Sequence, residues 1–129
     1  METGNAGKKL PGTKAEAYRL IQEVALVKDK YCQRPGCGRS ADCGHHVFPG
    51  RGKLATDFLH EAVISVCTQD HTGWAHNKPK EFKQFMIERL GEDRYYELRR
   101  LSYEHVEAMD YGEICERLRN ELRTYRRGT

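Results

Sequence analysis

Five cysteines and six histidines occur in this chain, and nine of these eleven residues crowd between positions 32 and 76. They are Cys32, Cys37, Cys43, Cys67, His45, His46, His60, His71 and His76; only Cys115 and His105 lie outside. The crowding constrains the fold because thiols and imidazoles brought together in a small core must be bridged, oxidised or bound to a metal. The N-terminal stretch METGNAGKKLPGTK lacks the apolar segment of a secretory leader. The expected compartment is therefore the reducing cytoplasm, where such clusters hold metal rather than form disulfides. An odd number of cysteines fits a disulfide framework poorly.

The chain has 129 residues, enough for one domain with a modest core. Charged residues reach 32%, but seven Tyr, four Phe and one Trp are too many aromatics for a disordered chain. No run of about 18 apolar residues exists, so no membrane span is expected. The net charge of +3 permits nucleic-acid binding without arguing for it. Arg117, Arg119, Arg123, Arg126 and Arg127 face a single nearby Glu121, giving a basic helical tail suited either to phosphates or to solvent.

The organisation expected is a mobile segment over 1–12 and a single domain over 13–129. That domain divides into a helix at 13–30, a metal-bearing core at 31–91 and helices at 92–129. Thr13 caps the first helix with Glu16 as capping-box partner, and Ala17, Leu20, Ile21, Val24 and Val27 form its core face. His45–Pro49 and Ala62–Cys67 read as two strands of a hairpin with a long connection. Pro79 opens a helix with a stripe from Phe82 to Leu90 that Gly91 ends. Residues 92–108 continue as helix. A final helix from about Asp110 carries Ile114, Leu118, Leu122 and Tyr125 at spacings of four, four and three. That stripe suits packing on the chain's own core or on the same helix of a second copy.

Cys32-x4-Cys37 is a knuckle whose thiolates reach one zinc from a single tight turn, and Cys67 ends a strand as a third donor. The fourth donor is open at this stage: Asp70 stands three residues after Cys67, His71 four after it, and Cys43 is the remaining candidate. His45 and His46 are adjacent, so on a regular strand their rings leave opposite faces. His71 and His76 lie five apart, which in a continuous α-helix turns their rings roughly 140° from each other. They share an ion only if the helix is broken, with Gly73 as the candidate break. Arg51 and Lys53, in the loop after His46, are candidate phosphate contacts.

The order Cys-x4-Cys, His-His, basic loop, apolar strand ending in Cys, then His and Trp-Ala-His resembles the HNH endonuclease family over about Tyr31–Leu101. Thr56-Asp-Phe58, Val66-Cys67, the segment Trp74–Phe82 and the stretch Gly91–Leu101 are similar to phage HNH nucleases of the NinG (Rap) recombination type. The resemblance implies an α+β fold: a zinc-stabilised, treble-clef-like ββα-metal core with flanking N- and C-terminal helices. It implies a metal-dependent DNA endonuclease of a bacterial host cell's phage or prophage, acting in recombination or on branched DNA. By position, His46 takes the general-base place, and His45 and His71 take the catalytic-metal places with His76 in support. Cys32, Cys37 and Cys67 hold structural zinc, and Asp70 stands where many relatives have the last zinc cysteine. The catalytic ion is Mg2+, Mn2+, Zn2+ or Ni2+, which an imidazole site does not choose among by affinity alone. One departure is Ala62, where the family carries the Asn that braces its hairpin loop. That departure leaves a second expectation in play, a zinc-binding nucleic-acid module without catalysis.

Overall fold

The computed structural model describes residues 10–48 and 54–127. Among the described residues the fold is α+β: six α-helices around one two-stranded antiparallel sheet. Helix α1 (Lys14–Lys28) is capped by Thr13, whose hydroxyl accepts from the Glu16 N–H. The Glu16 carboxylate does not complete the capping box but pairs with Arg119 of the last helix. The helix stops at Lys28 rather than at residue 30, and Asp29 is extended.

Strand β1 (Cys43–His46) begins two residues before the expected start and ends at His46, not Pro49. It pairs with β2 (Val63–Val66), so that Cys43 faces Val66 and His46 faces Val63. The described part of the connection carries a short helix, α2 (Leu54–Asp57), and a 3-10 turn (His60–Ala62). Because side chains alternate along a strand, the ribbon serves two cores. Ile64 and Val66 pack with Trp74, Phe82, Met86 and Leu98. Val63 packs on the other side with Leu20, Ile21, Val24 and Leu118.

Helix α1 is fixed to β1 by Gln22, whose amide oxygen accepts from the Gly44 N–H at 2.6 Å while its nitrogen donates to the Gly44 carbonyl at 2.8 Å. Gly44 is required for space: a Cβ there would lie 2.8 Å from Val63 Cγ1. After β2 come α3 (Thr68–Asp70), a π-helical turn (His71–His76), α4 (Pro79–Leu90) and α5 (Glu92–Ser102).

The helix expected to run to 108 ends at Ser102. Residues 103–110 cross over so that α6 (Tyr111–Arg127) can return along α1. Neither Gly nor Pro marks that stop. The Leu118 and Leu122 part of the α6 stripe, together with the unforeseen Cys115, is buried against α1 within the same chain.

Of the N-terminal segment expected to be mobile, residues 1–9 lie outside the described residues. Residues 10–12 are seated against α6 instead. A Cβ on Gly112 would strike the Leu10 carbonyl, and one on Gly12 would strike Cys115. Among the described residues no helix is long and apolar enough to cross a membrane.

Candidate metal centres

The knuckle is built from turn chemistry. The Cys37 N–H donates to the Arg34 carbonyl at 3.1 Å, with Pro35 and Gly36 (φ 81°) between them, the pattern of a type II turn. The Cys32 N–H donates to the Arg39 carbonyl, which folds both thiols toward one point. Cys67 comes to that point from the end of β2, where its sulfur caps α3 by accepting from the Asp70 N–H. One donor atom from each of Cys32, Cys37, Cys67 and Asp70 lies within 4.8 Å of all the others.

The spacing suits a tetrahedral ion. Zinc–sulfur bonds of about 2.3 Å put two tetrahedral sulfurs about 3.8 Å apart, and Cys37 Sγ stands 3.9 Å from Cys67 Sγ. Asp70 Oδ2 is 3.2 Å from Cys32 Sγ and 3.4 Å from Cys67 Sγ. Among the three candidate fourth donors the geometry selects Asp70. Cys43 instead contacts the Val66 carbonyl, and His71 belongs to a different group.

Sequence reasoning missed two arginines here. Arg34 pairs with Asp70 at 2.8 Å, and Arg39 reaches Cys67 Sγ at 4.0 Å. Three thiolates and one carboxylate around a dication would leave two negative charges, which these two guanidiniums are placed to balance. Their position inside and beside the Cys-x4-Cys turn was a readable signal. Without an ion, the four donors shift one another's acidities. Burial pushes the Cys32 thiol up to about 12. The Asp70 hydrogen bond raises Cys37. Hydrogen bonds from Cys37 and then Arg34 hold Asp70 well below the carboxylate range. Burial works against the Cys67 thiolate, but the Asp70 N–H and Arg39 outweigh it and hold its pKa down.

The second group is His45, His71 and His76, whose donor nitrogens also lie within 4.8 Å of one another. His71 Nε2 and His76 Nε2 are 3.2 Å apart. Gly73 does not break the helix between them. The turn widens into a π-helix, whose i→i+5 pattern stacks residues five apart on one face. The same turn buries Trp74 and Ala75 in the core.

His45 enters from β1 and stands edge-on to both partners, with ring centroids 5.1 Å from His71 and 4.7 Å from His76. It is only 4% exposed, and burial, aided by the neighbouring imidazoles, lowers its pKa to about 3. Burial also lowers that of His71. His45 is thus a neutral donor at any working pH, as a metal ligand must be. His71 is half-buried and His76 exposed, so the group opens to solvent on one side.

His46 follows strand alternation and leaves the opposite face of β1 from His45. Its Nε2 donates to the Asp57 carbonyl at 3.0 Å, which leaves the lone pair on Nδ1. Asp57 is buried, and its carboxylate accepts from the Tyr18 hydroxyl of α1 at 2.5 Å. The Tyr18 ring stands edge-on to His46. No sequence signal joined Tyr18 to Asp57, which are 39 positions apart.

Ala62 is buried at the end of the 3-10 turn that leads into β2. His60 and Glu61 are engaged elsewhere, with Lys28 and Arg94. Arg51 and Lys53 lie outside the described residues. Compared with models of protein families, with curated proteins and with solved structures, the chain has no match.

Proposed function

We propose that this protein is a metal-dependent endonuclease that hydrolyses phosphodiester bonds in DNA, built on an HNH-type ββα core. The observation that carries the reading is the convergence of His45 with His71 and His76 into one group that is open to solvent on its His76 side, delivered by a π-turn. Three imidazoles with a solvent-exposed side suit a divalent ion that keeps positions free for a substrate. A divalent ion held there supplies positive charge to the phosphate and to the oxygen that leaves.

The remaining chemistry belongs to the chain. His46, with its lone pair on Nδ1, takes a proton from the attacking water. The water oxygen bonds to phosphorus, the bond to the leaving ester oxygen breaks, and solvent returns a proton to that oxygen. The Asp57 carbonyl keeps His46 in the tautomer this role needs. Cys32, Cys37, Cys67 and Asp70 fit structural zinc. That zinc locks the knuckle to the start of the helical segment carrying His71 and His76.

The test is a cleavage assay with Mg2+, Mn2+, Ni2+ and Zn2+ on duplex, single-stranded and four-way junction DNA. The wild type cuts at least one substrate; His46→Ala keeps its zinc and its fold but loses cleavage. Failure on every substrate with every metal refutes the proposal. One observation favours a second reading, a zinc-bearing nucleic-acid module without catalysis: His45 and His46 leave opposite faces of β1. That reading predicts a gel shift of DNA indifferent to His46→Ala and no cleavage.

A further inference from the structure

A cavity of about 300 Å³ adjoins the three-imidazole group, with His45 and His76 on one wall. Val47, Phe82 and Tyr95 are part of its apolar lining, and among the described residues Lys83 of α4 and Arg99 of α5 are its only charged side chains. Among the described residues no carboxylate lines it. That is unusual on these helices, where Arg89 pairs with Asp29, Arg94 with Glu61 and Glu97, and Arg100 with Glu104. Lys83 lies over the Tyr96 ring, 5.5 Å from its centroid, and Arg99 has no acidic partner among the described residues. Two cations left uncompensated beside a concave apolar surface attract an anion that also brings apolar area.

We propose that this cavity seats the nucleotide next to the cut, with Lys83 and Arg99 together gripping the phosphate that flanks the scissile one. The inference rests on the nuclease reading and extends it. The volume lies at the lower limit of small-molecule sites and suits one nucleoside unit. Phosphate contacts position a substrate without reading its sequence, so this grip sets register on the backbone. Lys83 and Arg99 are positioning residues; they touch substrate away from the reacting atoms.

The test uses Lys83→Met and Arg99→Met, singly and together, since methionine keeps the apolar stems. Binding is read by anisotropy of a short labelled oligonucleotide as salt is varied, and cleavage by kcat and KM. A neutral methylphosphonate is scanned through the linkages of the DNA. The double variant is expected to raise KM about tenfold with kcat within twofold. It also makes the log–log salt dependence shallower by about one phosphate contact. One methylphosphonate position weakens wild type by the same factor and costs the double variant nothing more.

Unchanged affinity in the double variant, or methylphosphonate losses that simply add to its own, overturns the proposal. Should no DNA be cut while binding follows the expected pattern, the nuclease reading fails and the phosphate grip stands. Normal cleavage and KM in the double variant refute the grip and leave the nuclease reading intact.

Discussion

Replacing Tyr18 with Phe removes one oxygen and keeps the ring, which isolates the link between α1 and the segment that holds His46. The lost bond is the 2.5 Å contact to the buried Asp57 carboxylate. Hydrogen bonds to charged groups contribute about 1.5–3 kcal/mol, and because Tyr18 is half-buried a value of about 2 kcal/mol is expected. For 129 residues, an unfolding entropy of about 2.1 cal/mol/K per residue makes this a fall in Tm of about 7 °C. Asp57→Asn keeps an acceptor for the hydroxyl but removes the charge, which roughly halves the bond; its cost is about 1 kcal/mol. Together the two changes should cost little more than Tyr18→Phe alone, because both act on the same contact and Tyr18→Phe already removes it. Urea and thermal melts of the four proteins give the cycle, and the 15N shifts of the His46 ring report whether Nε2 still carries the proton. Losses that add, or a Tm shift under about 2 °C with an unaltered His46 ring, would refute the claim that Tyr18 braces this segment through Asp57.

Three further outcomes follow from the packing and the charges. Gly44→Ala drives a methyl to 2.8 Å from Val63 Cγ1 and 3.2 Å from Gln22 Oε1; overpacking of this kind costs about 1–3 kcal/mol. Adding Val63→Ala should recover part of that loss in a thermal melt. Asp70→Cys should retain one zinc per chain by elemental analysis. Asp70→Ala, which loses a donor and strands Arg34, should yield its metal to a chelator at least about a hundredfold more readily, since even outer-shell losses cost roughly 10–100-fold. In metal-stripped protein, His45 makes stability depend on pH. Its folded pKa of about 3 lies below the ordinary 6.5, so the unfolded chain binds the proton first. Stability is then full above pH 6.5 and falls as pH drops toward 3. The loss is about 2 kcal/mol at pH 5, and His45→Gln should flatten that part of the profile in urea melts.

The parts of this molecule that could be read in advance are those that depend on spacing alone. Cys32-x4-Cys37 with Pro35-Gly36 between its cysteines is a turn on any backbone, and Cys67-x2-Asp70 is one helical step from a strand end to a donor. The faces of α1 and α4 follow the helical period. What could not be read depends on which elements meet. Ser102 ends α5 without a breaking residue because the chain must cross to return α6 along α1. Gln22 grips Gly44, and Tyr18 reaches Asp57, only after α1 has docked on the strands.

The two histidines of the π-turn show the same division within six residues. A period of 3.6 separates His71 from His76, and no residue between them states that the turn will widen. The widening is explained by what it satisfies at once: Trp74 and Ala75 enter the core beside Phe82, while His71 and His76 come to the same side as His45. A regular α-helix that buried Trp74 would aim only one of the two imidazoles at His45. The donor group therefore exists because the backbone departs from the regular helix, and π-turns concentrate at functional sites for this kind of reason. Ala75→His combined with His76→Ala puts the second imidazole four residues after His71, the spacing at which a regular α-helix would hold both on one face. If metal affinity at the imidazole group survives that move, the widened turn is a packing feature alone; if it collapses while the Cys32–Asp70 group keeps its zinc, the turn is what assembles the site.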